Sequence, residues 1–243
     1  MRDVCAVVNA HREGNIIIPT LRSIHLAQQH ARDAGLDCGV CVLLDMPDNN
    51  TRDIVEDWRG DDWQVVISDV DDLGLARNDA VARAEESRFI AFLDGDDLCS
   101  RNWLTDACVH ASAYADGPAI WHPAANFVFG TGETYIYRHR DMDDPAFSLP
   151  YLVLDNYWTA LSFGERSIYR EYPYMTTRLK GGWGYEDWSW NALTVGSGVK
   201  HKVVPETAHF IRRRRSSLLR ETKAAQAIPN LSPLRDLFYA SNG

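Results

Sequence analysis

The stretch Phe89–Asp97, FIAFLDGDD, decides the fold of this chain, because an apolar run stops abruptly at three carboxylates. Its first five residues, Phe89–Leu93, have the composition of a strand that is buried on both faces. In an open α/β sheet, ligands bind in the crevice outside the carboxyl ends of the strands. The acids that follow this strand are therefore expected at the position that a ligand would occupy.

The spacing of Asp94 and Asp96 indicates a site for a divalent metal and a diphosphate. Carboxylates this close together repel one another and raise each other's pKa unless a cation neutralises them. Oxygen ligands suit Mg²⁺ or Mn²⁺, and Mg²⁺ commonly takes one or two protein carboxylates together with substrate phosphates. A solvated acidic turn, which any Asp-Gly pair can make, is the alternative for this motif when it is taken alone.

The composition is that of a globular protein with room for one large α/β domain. The chain has 243 residues, of which 45% are hydrophobic and 24% charged, with a net charge of −9 at pH 7. This negative charge argues against a general affinity for nucleic acid or anionic membrane. No apolar run approaches ~18 residues, no signal peptide is visible, and the five cysteines lie mostly in apolar runs. We therefore expect a cytoplasmic protein with buried, reduced thiols and no transmembrane helix.

Strand and helix patterns alternate through the first half of the chain. Strands are predicted at Val4–Val8, Val40–Leu44, Trp63–Ile67 and Phe89–Leu93, and helices from about Ile18, at Thr51–Trp58 and at Gly74–Glu86. Short joints between these elements predict an α/β fold with a mostly parallel sheet and helices on both faces. After about residue 115 the pattern becomes mixed, with short strands at Ala119–His122 and Asn126–Phe129, a hairpin turn and a charged loop.

A second pair of acids, Glu186 and Asp187, is predicted at the start of a helix between Trp183 and Trp188. Carboxylates are favoured at helix N-termini, so capping alone would explain the pair. The tryptophans, however, offer flat apolar surfaces for sugar rings and would partly desolvate the acids. Because desolvation raises the pKa of a carboxylate, the pair has the character of a general base that works near neutral pH.

The order of these motifs resembles that of family 2-type glycosyltransferases, which have the GT-A fold. The family's F-L-D-x-D-D segment is matched at Phe92–Asp97, and its glycine- and aromatic-flanked E-D pair is matched within Gly184–Trp188. Partial matches to three further family segments lie at Leu73–Ala80, Val7–Glu13 and Leu44–Asp48. Asn9, His11 and Met46 depart from the family pattern, which leaves the base of the donor open.

The resemblance implies a single GT-A-type Rossmann-like body in three parts. Residues 1–115 would form the nucleotide-sugar-binding half, 116–216 the acceptor-binding and catalytic-base half, and 217–243 a C-terminal helix and tail. The implied activity is metal-dependent transfer of a sugar, hexosyl in type, from a nucleoside-diphosphate sugar to an acceptor hydroxyl, with Mn²⁺ or Mg²⁺ as the ion. The acceptor, which could be a saccharide, a lipid-linked sugar, a protein or a modified nucleic acid, stays open, as does the oligomeric state.

The resemblance also implies a role for particular residues. Asp187, next to Glu186, would be the catalytic base of an inverting transfer, whereas retention, nucleotidyl transfer and a silent sugar-nucleotide-binding module are the alternatives. Donor contacts are expected from Asn9, His11, Glu13, Asp45, Arg77, Asp94, Gly95 and Asp96. We expect metal ligation by Asp94, Asp96 and, from its place after the last strand, His209. Acceptor stacking is expected from Trp183, Trp188 and Trp158, although such aromatic residues are more often part of the core. The run Arg212–Arg215 could face diphosphate, acceptor or solvent.

Overall fold

The first half of the chain folds as alternating strands and helices, as the sequence predicts. The computed structural model describes residues 1–215 and 217–240, so the last three residues of the predicted tail and Ser216 lie outside the described residues. The elements are β1 (Arg2–Ala10), α1 (Ile17–Asp33), β2 (Cys38–Asp45), α2 (Asn49–Trp58), β3 (Gln64–Ser68), α3 (Leu73–Arg83) and β4 (Ser87–Asp94). These four strands are parallel, in the order β3-β2-β1-β4.

Apolar periodicity explains why these elements pack as they do. Strands β1 and β2 are central, and β2 is buried along its whole length, as near-continuous apolar runs require in a sheet covered on both faces. Helix α1 has Pro19 in its first turn, where a missing N–H costs nothing. Residues that recur at helical spacing face the core, with Leu21, Ile24, Ala27, Gln28 and Ala31 buried on α1, and Ala76, Ala80, Val81 and Ala84 buried on or just after α3.

The second half extends the same sheet with mixed strand directions. Its elements are β5 (Leu98–Cys99), α4 (Trp103–Ala113), β6 (Ala119–Gly130), β7 (Tyr135–Arg138), α5 (Tyr151–Leu154), β8 (Phe163–Glu165), α6 (Arg166–Glu171), α7 (Glu186–Gly196), β9 (Lys200–Arg213), α8 (Leu218–Ala224) and α9 (Arg235–Ala240). From β4 the sheet continues through β8, β6 and β9 to β5, and β7 pairs with β6 at its side. Strands β6 and β9 are parallel, whereas β8, β7 and β5 run antiparallel to their neighbours.

One prediction for this half is corrected. The strands predicted at 119–122 and 126–129 form one strand, β6, whose register against β9 shifts between Pro123 and Ala125. Proline has no N–H to donate to a neighbouring strand, so Pro123 reads in the sequence as the end of a strand. The charged loop after β7 contacts β9 through an ion pair between Asp141 and Lys202 (2.6 Å).

The five cysteines are all buried and free, as expected from their apolar surroundings. Burial raises the pKa of Cys5 and Cys38 to about 12, so these thiols stay protonated at neutral pH. Among the described residues, no helix combines the length and the apolar character that crossing a membrane requires.

Candidate functional site

Polar side chains follow β1, β2 and β4 at the edge of the sheet where the carboxyl ends of these parallel strands meet. Asn9 and Asp94 stand opposite each other in the register, and Asp45 ends the neighbouring strand. The backbone N–H of Gly95 donates to the carbonyl oxygen of Asn9 at 2.7 Å. A Cβ at Gly95 would lie 2.8 Å from that oxygen, so only glycine allows the acid turn to approach β1 this closely.

The loop after β1 is fastened to the end of β2 by hydrogen bonds. His11 Nδ1 donates to the carbonyl oxygen of Asp45 at 2.5 Å, and the His11 N–H donates to Glu13 Oε2 at 2.6 Å. The Asp45 carboxylate accepts from the backbone N–H of Val70 at 2.9 Å and of Asp71 at 3.3 Å. His11 and Glu13 therefore set the shape of the crevice beside Asn9 and Asp45.

Asn9 itself is the sign of a ligand in this crevice. Its side chain is buried, and neither atom of its amide has a hydrogen-bond partner among the described residues. An unpaired buried amide costs free energy, and buried polar groups are almost always satisfied by protein, ordered water or ligand. A polar molecule that enters between β1 and β2 would find this amide available.

The three acids after β4 have different neighbours. Asp96 lies 2.7 Å from Nε of Arg214, and its burial, followed by the charge of Asp97, raises the pKa of Asp96 to about 7. Asp97 is held by β9, because its carboxylate accepts from the backbone N–H of Arg212 at 2.7 Å and from His209 Nε2 at 3.0 Å. The last strand thus closes over the acid turn.

The structure gives His209 a different role from the predicted metal ligand. Besides Asp97 on its Nε2, the ring has Thr159 Oγ1 at 3.1 Å from Nδ1, and the side chain is buried. Both ring nitrogens are already engaged within the protein. In this arrangement His209 positions Asp97.

Arg77 was expected to contact the donor, but its guanidinium is wholly buried and joins two acids instead. Nη2 donates to Asp94 Oδ1 at 2.9 Å and Nη1 donates to Glu186 Oε1 at 3.0 Å. The ring of Tyr174 lies 5.2 Å from its central carbon, a cation–π contact. Arg77 therefore connects the end of β4 with the first turn of α7, which are far apart in the sequence.

The two acids of α7 are not equivalent. Glu186 is buried and paired with Arg77, so its charge is compensated. Burial and the nearby charge of Glu186 raise the pKa of Asp187 to about 7. Its carboxylate accepts from Asn156 Nδ2 at 3.3 Å and from the backbone N–H of Trp188 at 2.7 Å. Asp187 is the member of the pair that can take up a proton near neutral pH.

Only one of the three predicted stacking tryptophans has a well exposed ring. The prediction that Trp158 stacks on the acceptor is wrong, since Trp158 is 1% exposed and its ring stacks on His201 with 4.2 Å between centroids. Trp188 is partly buried, and its Nε1 donates to the carbonyl oxygen of Leu152 at 2.7 Å. Trp183 remains, 39% exposed, in the loop before α7. Asn156 and Tyr174, which complete the surroundings of the acids, carry no local sequence signal.

The acids fit a divalent cation whose remaining ligands come from a substrate. Within the described part of the chain, no three His, Cys, Asp or Glu side chains form a group that could hold a metal. Asp94 and Asp96 nevertheless offer hard oxygen atoms at the rim of the crevice, and Arg77 engages only Oδ1 of Asp94. One or two protein carboxylates are what Mg²⁺ sites on phosphate substrates commonly use.

Comparison with known proteins identifies the relatives of this arrangement. Residues 5–172 match the family model of Glycosyl transferase family 2. No curated protein matches the chain in sequence. Among solved structures, residues 1–349 of S. aureus TarS in complex with UDP-GlcNAc are similar, with a TM-score of 0.67, 15% identity and coverage of 90% of this chain and 60% of that one. GalNAc-T7 with UDP, GalNAc and Mn²⁺ is also similar, with a TM-score of 0.61, 16% identity and coverage of 93% and 47%.

These likenesses confirm the predicted α/β fold of the GT-A type. The chain spans about 60% of the length of the TarS fragment that it matches. At 15% and 16% identity the likenesses extend to the fold and not to the substrates of those proteins.

Proposed function

Because the chain belongs to Glycosyl transferase family 2, we propose that it transfers a sugar from a nucleoside-diphosphate sugar to an acceptor hydroxyl. The observation that carries this proposal is the Arg77 bridge. It links Asp94, at the end of the strand whose acids suit a metal and a diphosphate, to Glu186, the sequence neighbour of Asp187, which suits a base. Structures of TarS with UDP-GlcNAc and of GalNAc-T7 with UDP and Mn²⁺ support a nucleotide-sugar donor and a divalent ion.

The donor's nucleoside would lie between the ends of β1 and β2. There the unpartnered amide of Asn9 offers a donor and an acceptor, and the Asp45 carboxylate lies on the neighbouring strand. His11 and Glu13 would shape the side of this pocket, and Gly95 would let the acid turn approach it. Arg214, beside Asp96, would stabilise negative charge on the diphosphate.

Asp94 and Asp96 would hold Mn²⁺ or Mg²⁺. The bound ion would supply positive charge next to the leaving diphosphate, which is where negative charge develops. A bound cation would also offset the repulsion between the carboxylates of Asp96 and Asp97. His209 would act indirectly, because it holds Asp97 in place.

Asp187 would act as the general base. As the bond between the anomeric carbon and the diphosphate oxygen breaks, its electron pair leaves with the diphosphate. The acceptor oxygen forms a bond to the same carbon from the opposite face and loses its proton to Asp187, which inverts the anomeric centre. Asn156 would orient the carboxylate through its amide.

The test measures transfer by the purified protein with a panel of nucleoside-diphosphate sugars, acceptor sugars and Mn²⁺. We expect release of nucleoside diphosphate, loss of the activity with a chelator and recovery when Mn²⁺ is restored. Asp187→Asn should lower the rate about 10²–10⁴-fold, the usual contribution of a general base. Asp79→Asn, on the outer side of α3, is the matched control and should leave the rate unchanged.

Four results would contradict parts of the proposal. A near wild-type rate in Asp187→Asn would contradict the assignment of Asp187 as the base. A product that keeps the donor's anomeric configuration, measured by NMR, would contradict inversion. Release of pyrophosphate in place of nucleoside diphosphate would indicate nucleotidyl transfer. Binding of the sugar nucleotide without any turnover in the presence of metal would indicate a silent binding module.

A further inference from the structure

Two tyrosines of β7, Tyr135 and Tyr137, lie on the same face of the sheet as His209 of β9, which contacts Asp97. In the register, Tyr137 stands opposite Asn126 on β6, and Asn126 stands opposite His209 on β9. Residues directly opposite each other in a sheet have their side chains on the same face. His209 contacts Asp97, so Tyr137 and Asn126 lie on the face that borders the site, about 10 Å and 5 Å from the His209 strand by strand spacing.

Tyr135, two residues earlier on β7, extends this face outwards. Its ring centroid lies 6.0 Å from that of Tyr137, with 34° between the ring planes. Arg213 donates to the Tyr135 hydroxyl, and its guanidinium carbon lies 4.9 Å from the ring centroid. Tyr135 is 39% exposed, and Ile136 between them is 62% exposed on the opposite face. The two rings therefore form a partly open aromatic surface that Arg213 supports at one end.

Two polar groups on this face of the sheet make no hydrogen bond to a described residue. Asn126 is fully buried, and neither atom of its amide has a hydrogen-bond partner among the described residues. The hydroxyl of Tyr137 makes no hydrogen bond to any described residue either. Burial, followed by the charges of Tyr135, Asp187, Asp97 and Asp155, raises the pKa of Tyr137. The phenol therefore stays protonated at neutral pH.

The charges around Tyr137 decide which acceptor fits. The carboxylates of Asp97, Asp155 and Asp187 act on Tyr137 and would repel a phosphate or a carboxylate placed there, whereas the guanidinium of Arg213 lies at the Tyr135 end of the surface. Aromatic faces pack well against the apolar faces of sugar rings, and carboxylates accept hydrogen bonds from hydroxyl groups. A neutral sugar is the ligand whose chemistry matches both features.

We propose that Tyr137 and Tyr135 form the acceptor subsite, and that the acceptor is a neutral saccharide whose ring stacks on Tyr137. The inference rests on the proposed function, because it places the accepting hydroxyl between the donor acids and Asp187. Tyr137 contacts the ring that receives the sugar, and Tyr135 contacts the next residue of a longer acceptor. Asn126 lies beside Tyr137 on the neighbouring strand.

The test measures saccharide binding by the whole protein with saturation-transfer NMR. Cellobiose and chitobiose are the neutral probes, and glucose 6-phosphate is the anionic one. We expect the neutral disaccharides to bind and glucose 6-phosphate not to bind. Tyr137→Ala and Tyr135→Ala should each weaken the binding of the neutral disaccharide about tenfold, as loss of an aromatic anchor does. Ile136→Ala, on the other face of the same strand, is the matched control and should bind as the wild type does.

Tyr137→Phe guards against misfolding of the alanine variant, because it keeps the ring and removes only the hydroxyl. Its affinity should stay within about threefold of the wild type if stacking carries the contact. The inference is overturned if neutral disaccharides fail to bind, if glucose 6-phosphate binds more tightly, if both alanine variants bind normally, or if Tyr137→Phe loses as much affinity as Tyr137→Ala.

This test separates the subsite from the proposed function. Tyrosine-dependent binding of a disaccharide without release of nucleoside diphosphate from any donor would support the subsite and contradict the transferase. Donor turnover with an acceptor KM that neither alanine variant changes would support the transferase and contradict the subsite.

Discussion

Replacing Arg77 by methionine should destabilise the protein, because this residue compensates two acids inside the fold. The Arg77 side chain is 0% exposed, whereas the side chains of its partners Asp94 and Glu186 are 27% and 9% exposed. Removing one partner of a buried ion pair costs about 3–5 kcal/mol, since the remaining charge stays buried without compensation. Asp94 can be hydrated where it is exposed, so the cost should fall near the lower end, about 3 kcal/mol. Glu186 has no such access to solvent.

The assay is thermal and urea unfolding of Arg77→Met at pH 7. At about 2–4 °C per kcal/mol for a chain of this size, the midpoint should fall by about 6–12 °C. Arg83→Met, on the exposed side of the same helix and paired with Asp79, should change stability by no more than about 1 kcal/mol. The double variant Arg77→Met/Glu186→Gln should recover part of the loss, because glutamine removes the charge that methionine leaves unpaired.

The bridge would be refuted as a stabilising contact if Arg77→Met and Arg83→Met unfolded at the same temperature. A second measurement tests its effect on the base. The charge of Arg77 lowers the pKa of Asp187 against the larger effects of burial and Glu186. In Arg77→Met the acidic limb of the rate profile should therefore move to higher pH, whereas Arg83→Met should leave it in place.

Three further predictions concern other parts of the chain. The folded pKa of His201 is about 3, lowered by burial from 6.5, so the contribution of this residue to the free energy of unfolding is complete above pH 6.5 and falls by about 1.4 kcal/mol per unit down to pH 3. The raised pKa values of Asp96 and Asp187 act in the opposite direction, so the test compares wild type with His201→Gln by urea unfolding at a series of pH values. Between pH 3 and 6.5 the free energy of unfolding should rise with pH less steeply in His201→Gln, by about 1.4 kcal/mol per pH unit, and equal slopes would contradict the prediction. Gly95→Ala should cost about 1–3 kcal/mol and weaken nucleotide binding by calorimetry, since its Cβ would meet the Asn9 carbonyl, whereas Gly181→Ala, with no other atom within 3.5 Å, should not. Asn156→Ala should lower the transfer rate about tenfold with little change in donor affinity, and an unchanged rate would show that its amide does not orient the base.

The sequence predicts the position of the acids because that position depends on local patterns. The run before Asp94 has the length and composition of a buried strand, and the apolar stripes of α1 and α3 recur at helical spacing. Parallel strands with short connections bring their carboxyl ends to one edge, so Asp45 and Asp94 could be expected as neighbours of the same crevice.

The partners of these acids could not be predicted, because they come from distant parts of the chain. Arg77 meets Glu186 across 109 positions and His209 meets Asp97 across 112. A single sequence supplies the residue types but not the pairing, so it predicts Arg77 at the donor and His209 at the metal without showing the acids that they contact. Trp158 was misplaced for a related reason, since an aromatic residue in a mixed segment fits either a surface platform or the core.

The hydrogen bonds that β9 makes to Asp97 have a consequence for folding during synthesis. Arg212 is synthesised 115 positions after Asp97, so the nascent chain contains the acid turn well before the strand that binds it. Until then, Arg77 is available to Asp94, but Asp96 and Asp97 lack the partners that Arg214 and β9 supply. Contacts of such long range slow folding, so this crevice should be among the last regions to mature and a sensitive target for proteases on unfinished chains.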